Sequence, residues 1–148
     1  MKAVVDEGRW LATQSSTSEA DLRRRFAEQM ERGHVFVVIG QGDAIVGMAG
    51  LHPTRAKRVW NIGTWILASH RGRGLGRALM EASIAEAVAE GARKIELEVF
   101  TDNEAAIGLY RSTGFEAEGL RRDHYEREDG SIKSATMMAM FPGEPEAF

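Results

Sequence analysis

The chain has no cysteine in its 148 residues, which excludes disulfide scaffolds, thiolate zinc sites, iron–sulfur clusters and a cysteine nucleophile. Proline is scarce, at 3, and no proline-rich, serine-rich or like-charge tract divides the sequence, so a single domain over 1–148 is expected. Nor is there a repeat on the scale of about 20–50 residues that would build a stacked array. Positive charge is not in excess: 19 Lys plus Arg against 22 Asp plus Glu leave a formal −3, the wrong sign for a domain that lives on nucleic-acid phosphate. No apolar run approaches the roughly 18 residues of a membrane span, and Met1-Lys2-Ala3-Val4-Val5-Asp6-Glu7 meets acid before any stretch of signal length. These absences point to a cytoplasmic protein with neither a nucleic-acid nor a membrane partner.

What is present is enough for a core. The composition is 43% hydrophobic, and a folded chain of about 150 residues hides about 68–70% of the surface its unfolded form exposes. Ser18 is a candidate cap with Asp21 three residues on, and Leu22, Phe26 and Met30 recur every fourth residue. The pattern predicts a helix from about 18 to 32, stopped by Gly33, with Arg23-Arg24-Arg25 on its wet face. The apolar runs 34–39 and 44–51, joined by Gly40-Gln41-Gly42-Asp43, read as a hairpin, and 59–67 as a third strand rich in β-branched and aromatic residues. Residues 75–90 form an amphipathic helix ended by Gly91; Ile95, Leu97 and Val99 alternate with Glu96 and Glu98 as in a strand. A short helix over about 102–113 is closed by Gly114, and two final strands, 115–127 and 132–141, flank Asp129-Gly130. The order helix, three strands, helix, strand, helix, two strands predicts an α/β or α+β layered protein with a mixed sheet. The strand–helix–strand unit requires parallel strands, which puts the intervening loop at the carboxyl edge of strand 59–67.

That loop is Arg71-Gly72-Arg73-Gly74-Leu75-Gly76-Arg77. Glycines there leave backbone N–H groups accessible at a helix start, the helix dipole is positive, and the arginines carry guanidinium forks, a combination suited to a phosphate or pyrophosphate. The plainer reading is a tight strand-to-helix turn with solvated arginines. The Gly-Lys-Ser/Thr ending of a nucleotide-hydrolase loop is absent, since the loop continues Gly76-Arg77-Ala78. A dinucleotide Gly-x-Gly-x-x-Gly fingerprint is broken by Arg77 or Leu79, although Glu96 and Glu98 stand at the distance of a ribose-binding acid and keep a dinucleotide enzyme as a rival.

The ordered set Arg71-x-x-Gly74-x-Gly76, Leu97-Glu98-Val99 and Asn103-x-x-Ala106-x-x-Leu109-Tyr110-x-x-x-Gly114-Phe115 resembles the GNAT superfamily of N-acetyltransferases, over about residues 44–141. Gly114-Phe115-Glu116-Ala117-Glu118-Gly119 and Met137-Met138-Ala139-Met140 are similar to a branch with amino-acid and other small-amine acetyltransferases. The resemblance implies a mostly antiparallel mixed sheet that splays after strand 59–67, with helices on both faces. It implies acetyl-coenzyme A as cosubstrate, its pyrophosphate on Arg71, Gly72, Arg73, Gly74, Leu75, Gly76 and Arg77, and its pantetheine arm on backbone groups of Trp65, Ile66 and Leu67. A backbone N–H there would polarise the acetyl carbonyl. Asn103 and Ala106 would share the cofactor face of their helix with Tyr110, which would protonate the departing thiolate; the alternative is a Tyr packed in the core.

Glu98 matches the carboxylate that the family's ribosomal-protein N-terminal acetyltransferases carry five residues before the position of Asn103, which makes it the first candidate for the base. Its alternative is the polar face of an alternating strand. Asn61 stands where small-molecule members often carry a carboxylate, and it cannot take a proton at ordinary pH. How much a base is needed depends on the acceptor: a lysine-like amine of pKa about 10.4 is about 0.1% neutral near pH 7.4, roughly 4 kcal/mol of barrier, whereas an α-amine near 7.7–8.0 is about a quarter neutral. Of His34, His52, His70 and His124, any is chemically able to serve as a base; none has metal-ligand spacing, so no metal is expected. His70 is placed at the loop entrance, and His124 with Arg122 and Tyr125 is placed for acceptor contact.

Ala68 replaces a proline common in this motif. The family's leading strand also has no counterpart ahead of Glu7-Gly8-Arg9-Trp10-Leu11-Ala12-Thr13, so that strand is expected to be missing, a sheet edge and Trp10 exposed, and a homodimer formed to cover them. The reading is direct acetyl transfer to a primary amine of a small molecule or amino acid. A peptide N-terminal acetyltransferase and a non-catalytic acyl-coenzyme A sensor are the alternatives.

Overall fold

The computed structural model describes residues 18–143. The expected missing strand, the segment 7–13 and Trp10 lie outside them. Helix α1 (Glu19–Glu31) starts where Ser18 Oγ accepts the Asp21 N–H at 3.2 Å. Leu22 and Phe26 are half-buried, Phe26 meeting Phe36 edge-on at 4.9 Å, but Met30 is 62% exposed, so only part of the predicted apolar face is covered. Arg23 and Arg24 pair within the helix with Glu19 and Asp21.

Strands β1 (Val35–Gln41) and β2 (Ala44–Pro53) form the expected hairpin around Gly42-Asp43, where Gly42 at φ +58 supplies the left-handed residue that such a tight turn needs. Strand β3 (Val59–Ile66) runs antiparallel to β2. After a 3-10 turn at Ala68–His70 come α2 (Leu75–Ala89), β4 (Lys94–Phe100), α3 (Glu104–Ser112), β5 (Glu116–Glu126) and β6 (Ile132–Met140). The six strands make one sheet in the order β1-β2-β3-β4-β6-β5, in which only the β3–β4 pair is parallel. This is the mixed, mostly antiparallel α/β architecture expected.

Register decides which residues share a face. Ala49, Leu51, Ile62, Ile95 and Leu97 lie on one side, closed over by Leu79 and Met80 of α2 and by Tyr110 of α3, and form the buried core. The other side carries His34, Phe36, His52, Asn61, Gly63, Trp65, Glu96 and Glu98, with α1 laid against it through Phe26. Helices therefore flank both faces, but polar side chains occupy the α1 side.

Candidate active site

The β3–β4 ladder contains three residue pairs, Val59 with Lys94, Trp60 with Ile95 and Asn61 with Glu96, and then the strands part. The divergence expected beyond the end of strand 59–67 thus opens inside β3, after Asn61. The apolar pattern of β3 continues unbroken to Ile66 because β2 still pairs with it there, so the sequence carries no mark of the separation. Leu67 N–H donates to Val46 O and Thr54 N–H to Val59 O, so odd-numbered β3 residues turn their peptide groups towards β2. Even-numbered ones, including Thr64 and Ile66, turn theirs into the opening. This corrects two expectations: the Trp65 peptide group and the Leu67 N–H face β2, and the Leu67 carbonyl accepts the His70 N–H at 2.9 Å. Ile66 does face the gap, and its carbonyl accepts Arg71 Nε at 3.0 Å. Thr64, absent from the predicted set, takes a place in it.

The glycine loop leads into α2 as expected. Gly74 is the N-cap at φ +77 with no side chain to cap the helix, and Gly72 is also left-handed at φ +73. The first-turn N–H groups of α2 are therefore left to water or to an anion. Gly76 has a different reason to be glycine: a Cβ there would stand 2.9 Å from Leu109 Cδ2, so it lets α2 approach α3. Arg77 points the same way, with Nη1 and Nη2 donating to Ser112 Oγ and O at 3.4 and 3.3 Å and Nε 3.3 Å from Glu81. Arg71, Arg73 and Arg77 are all exposed, and Arg73 makes no hydrogen bond or ion pair among the described residues.

Asn103 caps α3, its Oδ1 accepting the Ala106 N–H at 3.2 Å. That bond commits the side-chain oxygen to the helix start, a structural use that the sequence reading did not assign. One turn beyond Ala106, Tyr110 is 8% exposed in the core, and its hydroxyl lies 3.0 Å from Thr64 Oγ1 at the opening. Burial pushes the phenol above its ordinary value and the Thr64 hydrogen bond partly offsets this, so it is protonated at neutral pH.

Glu98 stands two residues past the last β3–β4 pair, on the face opposite Tyr110. Its Oε1 accepts the Tyr125 hydroxyl at 2.8 Å, and Oε2 is 3.7 Å from Arg121 Nη1. His34 and His52 stack at 5.0 Å between ring centroids, and with Asn61 and Glu96 they form a polar row across β1 to β4 on the Glu98 side. Burial, then the charge of His34, lowers the His52 imidazole below its ordinary value, while Glu96 opposes this. His70 is hydrogen-bonded to Ser69 and Gln41 beside the loop, and His124 packs edge-on against Tyr125 at 4.9 Å, whereas Arg122 is exposed on β5. The Trp65 indole N–H is buried without a hydrogen-bond partner among the described residues. Thus the opening has a proton-bearing phenol on one side, a carboxylate on the other, and an uncapped helix start beyond its wide end.

The family model for the Acetyltransferase (GNAT) family matches residues 4–115. The N-alpha-acetyltransferase RimI of Mycobacterium tuberculosis is 39% identical over 95 residues, covering 61% of this chain and 57% of that protein. The ribosomal protein bS18-alanine N-acetyltransferase of Escherichia coli K12 is 44% identical over 68 residues, covering 46% of this chain and 45% of that protein. The chain spans about half the length of these two curated relatives. Among solved structures, the ribosomal-protein-alanine N-acetyltransferase of Brucella melitensis superposes with a TM-score of 0.87 at 20% identity, over 95% of this chain and 88% of the other. A phosphinothricin acetyltransferase of Sinorhizobium meliloti in complex with acetyl-coenzyme A gives 0.85 at 24% identity, over 99% and 82%.

Proposed function

The chain belongs to the GNAT acetyltransferase family, and from that premise we propose that it transfers the acetyl group of acetyl-coenzyme A directly to a primary amine. The observation that carries this reading is that Tyr110 and Glu98 flank the β3–β4 opening from opposite faces of the sheet, Tyr110 through Thr64, three residues past the last ladder pair on β3, and Glu98 two residues past it on β4.

The residues present fit the cosubstrate. The uncapped start of α2 and the Arg73 guanidinium offer donors to a pyrophosphate, and the peptide groups of Thr64 and Ile66 offer hydrogen bonds to an amide-bearing arm. Acetyl-coenzyme A supplies the activated acetyl thioester. Tyr110 Oη, kept protonated by burial, holds the proton that a thiolate leaving group takes up. Glu98 accepts the proton that the amine sheds, directly or through water, and no covalent enzyme intermediate is required.

An α-amine is the acceptor class that fits this carboxylate best. Near neutral pH about a quarter of it is already unprotonated, so a Glu that also accepts a tyrosine hydrogen bond carries a light burden. An amino acid or other small amine is the leading acceptor; the names of the two curated relatives favour the α-amine of a peptide N-terminus as a second reading. The test is release of coenzyme A thiol and mass-detected acetylation with amino acids, other small amines and short peptides as acceptors. The expected outcome is thiol release matched by an acetylated α-amine, and a fall of at least about tenfold in kcat for Tyr110→Phe with the fold retained. Binding of acetyl-coenzyme A without turnover of any acceptor would support the sensor alternative, and an unchanged rate in Tyr110→Phe would remove that residue from the mechanism.

A further inference from the structure

We propose that Tyr125, aimed by an irregularity in β5, is a positioning residue that holds the Glu98 carboxylate in its working orientation. This rests on the reading of Glu98 as proton acceptor.

Arg121 pairs with Ala135 and Tyr125 with Lys133, so four steps along β5 are matched by two along β6. The two extra residues are taken up in a bulge at Asp123, a non-glycine residue at φ +51 whose N–H donates to Ser134 Oγ at 2.9 Å. A bulge of this kind bends its strand and redirects side chains. Here it leaves both Arg121 and Tyr125 on the Glu98 face, since their partners Ala135 and Lys133 share a face of β6 with Met137, the partner of Glu98. β6 lies between β5 and β4, and at the crossing it carries Ala135, a single methyl over which a long side chain passes. The Tyr125 ring is wedged edge-on between Phe100, at 5.5 Å, and His124, at 4.9 Å.

Its hydroxyl donates to Glu98 Oε1 at 2.8 Å while Arg121 approaches Oε2 at 3.7 Å. Both carboxylate oxygens are therefore engaged from one strand, at a level where β4 has lost β3 as a neighbour. A glutamate on a splayed strand has rotamer freedom to lose before it meets an amine; a phenol fixed by two aromatic contacts removes that freedom in advance. The phenol itself stays protonated, held above its ordinary value by burial and by the Glu98 charge, with Arg121 opposing. Asn61 and His52 with Glu96 complete the charged and polar surroundings on the β2 to β4 side, and Lys133, ion-paired with Asp102, stands on the far side.

Tyr125→Phe keeps the ring and removes only the hydroxyl. It is expected to lower kcat by about tenfold with KM for acetyl-coenzyme A unchanged, and to have less than about a twofold effect when introduced into the Glu98→Gln protein. An activity-independent measurement accompanies this. The chain has 2 tyrosines, so in a Tyr110→Phe background ultraviolet titration follows Tyr125 alone, and adding Glu98→Gln is expected to ease its ionisation. A wild-type kcat in Tyr125→Phe, an equal drop with and without Glu98, or a Tyr125 titration indifferent to Glu98→Gln would each overturn the proposal. If instead the titration moves but Glu98→Gln alone leaves kcat intact, the contact is real and Glu98 is not the proton acceptor; the underlying reading fails and the positioning role goes with it.

Discussion

Tyr110 is the residue on which burial, hydrogen bonding and chemistry converge. Its phenol is buried and raised above its ordinary value, so the folded state favours the protonated form more than the unfolded chain does. The sign follows: this contribution to stability is fully present below the unfolded value near 10 and is lost as pH rises through the folded one. Denaturant unfolding of the wild type is therefore expected to weaken between about pH 9 and pH 11 by more than that of Tyr110→Phe, and parallel pH dependences would contradict the burial assigned to the phenol. Tyr110 and Glu98 came forward in the sequence through the family resemblance, whose motif sets them at short fixed distances from Asn103 and Gly114. Tyr125 appeared there only as a neighbour of His124 and a candidate acceptor contact. Its bond to Glu98 spans 27 residues of chain and depends on a bulge whose position no local pattern announces.

At the scale of elements, glycine and capping residues made the boundaries readable. Ser18, Gly33, Gly42, Gly91 and Gly114 fall within a residue or two of the ends they were expected to mark. The site's two openings, the uncapped start of α2 and the β3–β4 separation, differ in this respect. The first is written locally in Gly72 and Gly74, both left-handed. The second arises because β4 turns to β6 while β3 stays with β2, a choice of partner made across the whole sheet. Gly74→Ala places a side chain at φ +77 and is expected to cost about 1–2 kcal/mol, or roughly 2–8 °C in melting temperature, while weakening acetyl-coenzyme A binding. Gly76→Ala tests a separate reason for glycine. Its φ is not left-handed and Leu109 Cδ2 is the end of a flexible side chain, so a smaller loss is expected; equal losses in thermal melts would undo the distinction.

For the molecule as a whole, the sheet brings together groups that the chain keeps far apart: a loop at 71–77, a phenol at 110 and a carboxylate at 98 held from 125. The order of elements and the mixed sheet follow from periodicity and turn residues. Which face each polar residue occupies follows only from register, as the row His34, His52, Asn61 and Glu96 shows. On the proposed reading, the β3–β4 opening and the start of α2 together form a site for acetyl-coenzyme A. The most direct measurement is the melting temperature of the purified protein with acetyl-coenzyme A, beside desulfo-coenzyme A, NADH and NADPH. At about 100 times its dissociation constant a ligand stabilises by roughly 2.7 kcal/mol, so the coenzyme A compounds are expected to raise the midpoint by about 5–11 °C and the dinucleotides to leave it in place. No shift with the coenzyme A compounds, or a shift with a dinucleotide alone, would contradict the account.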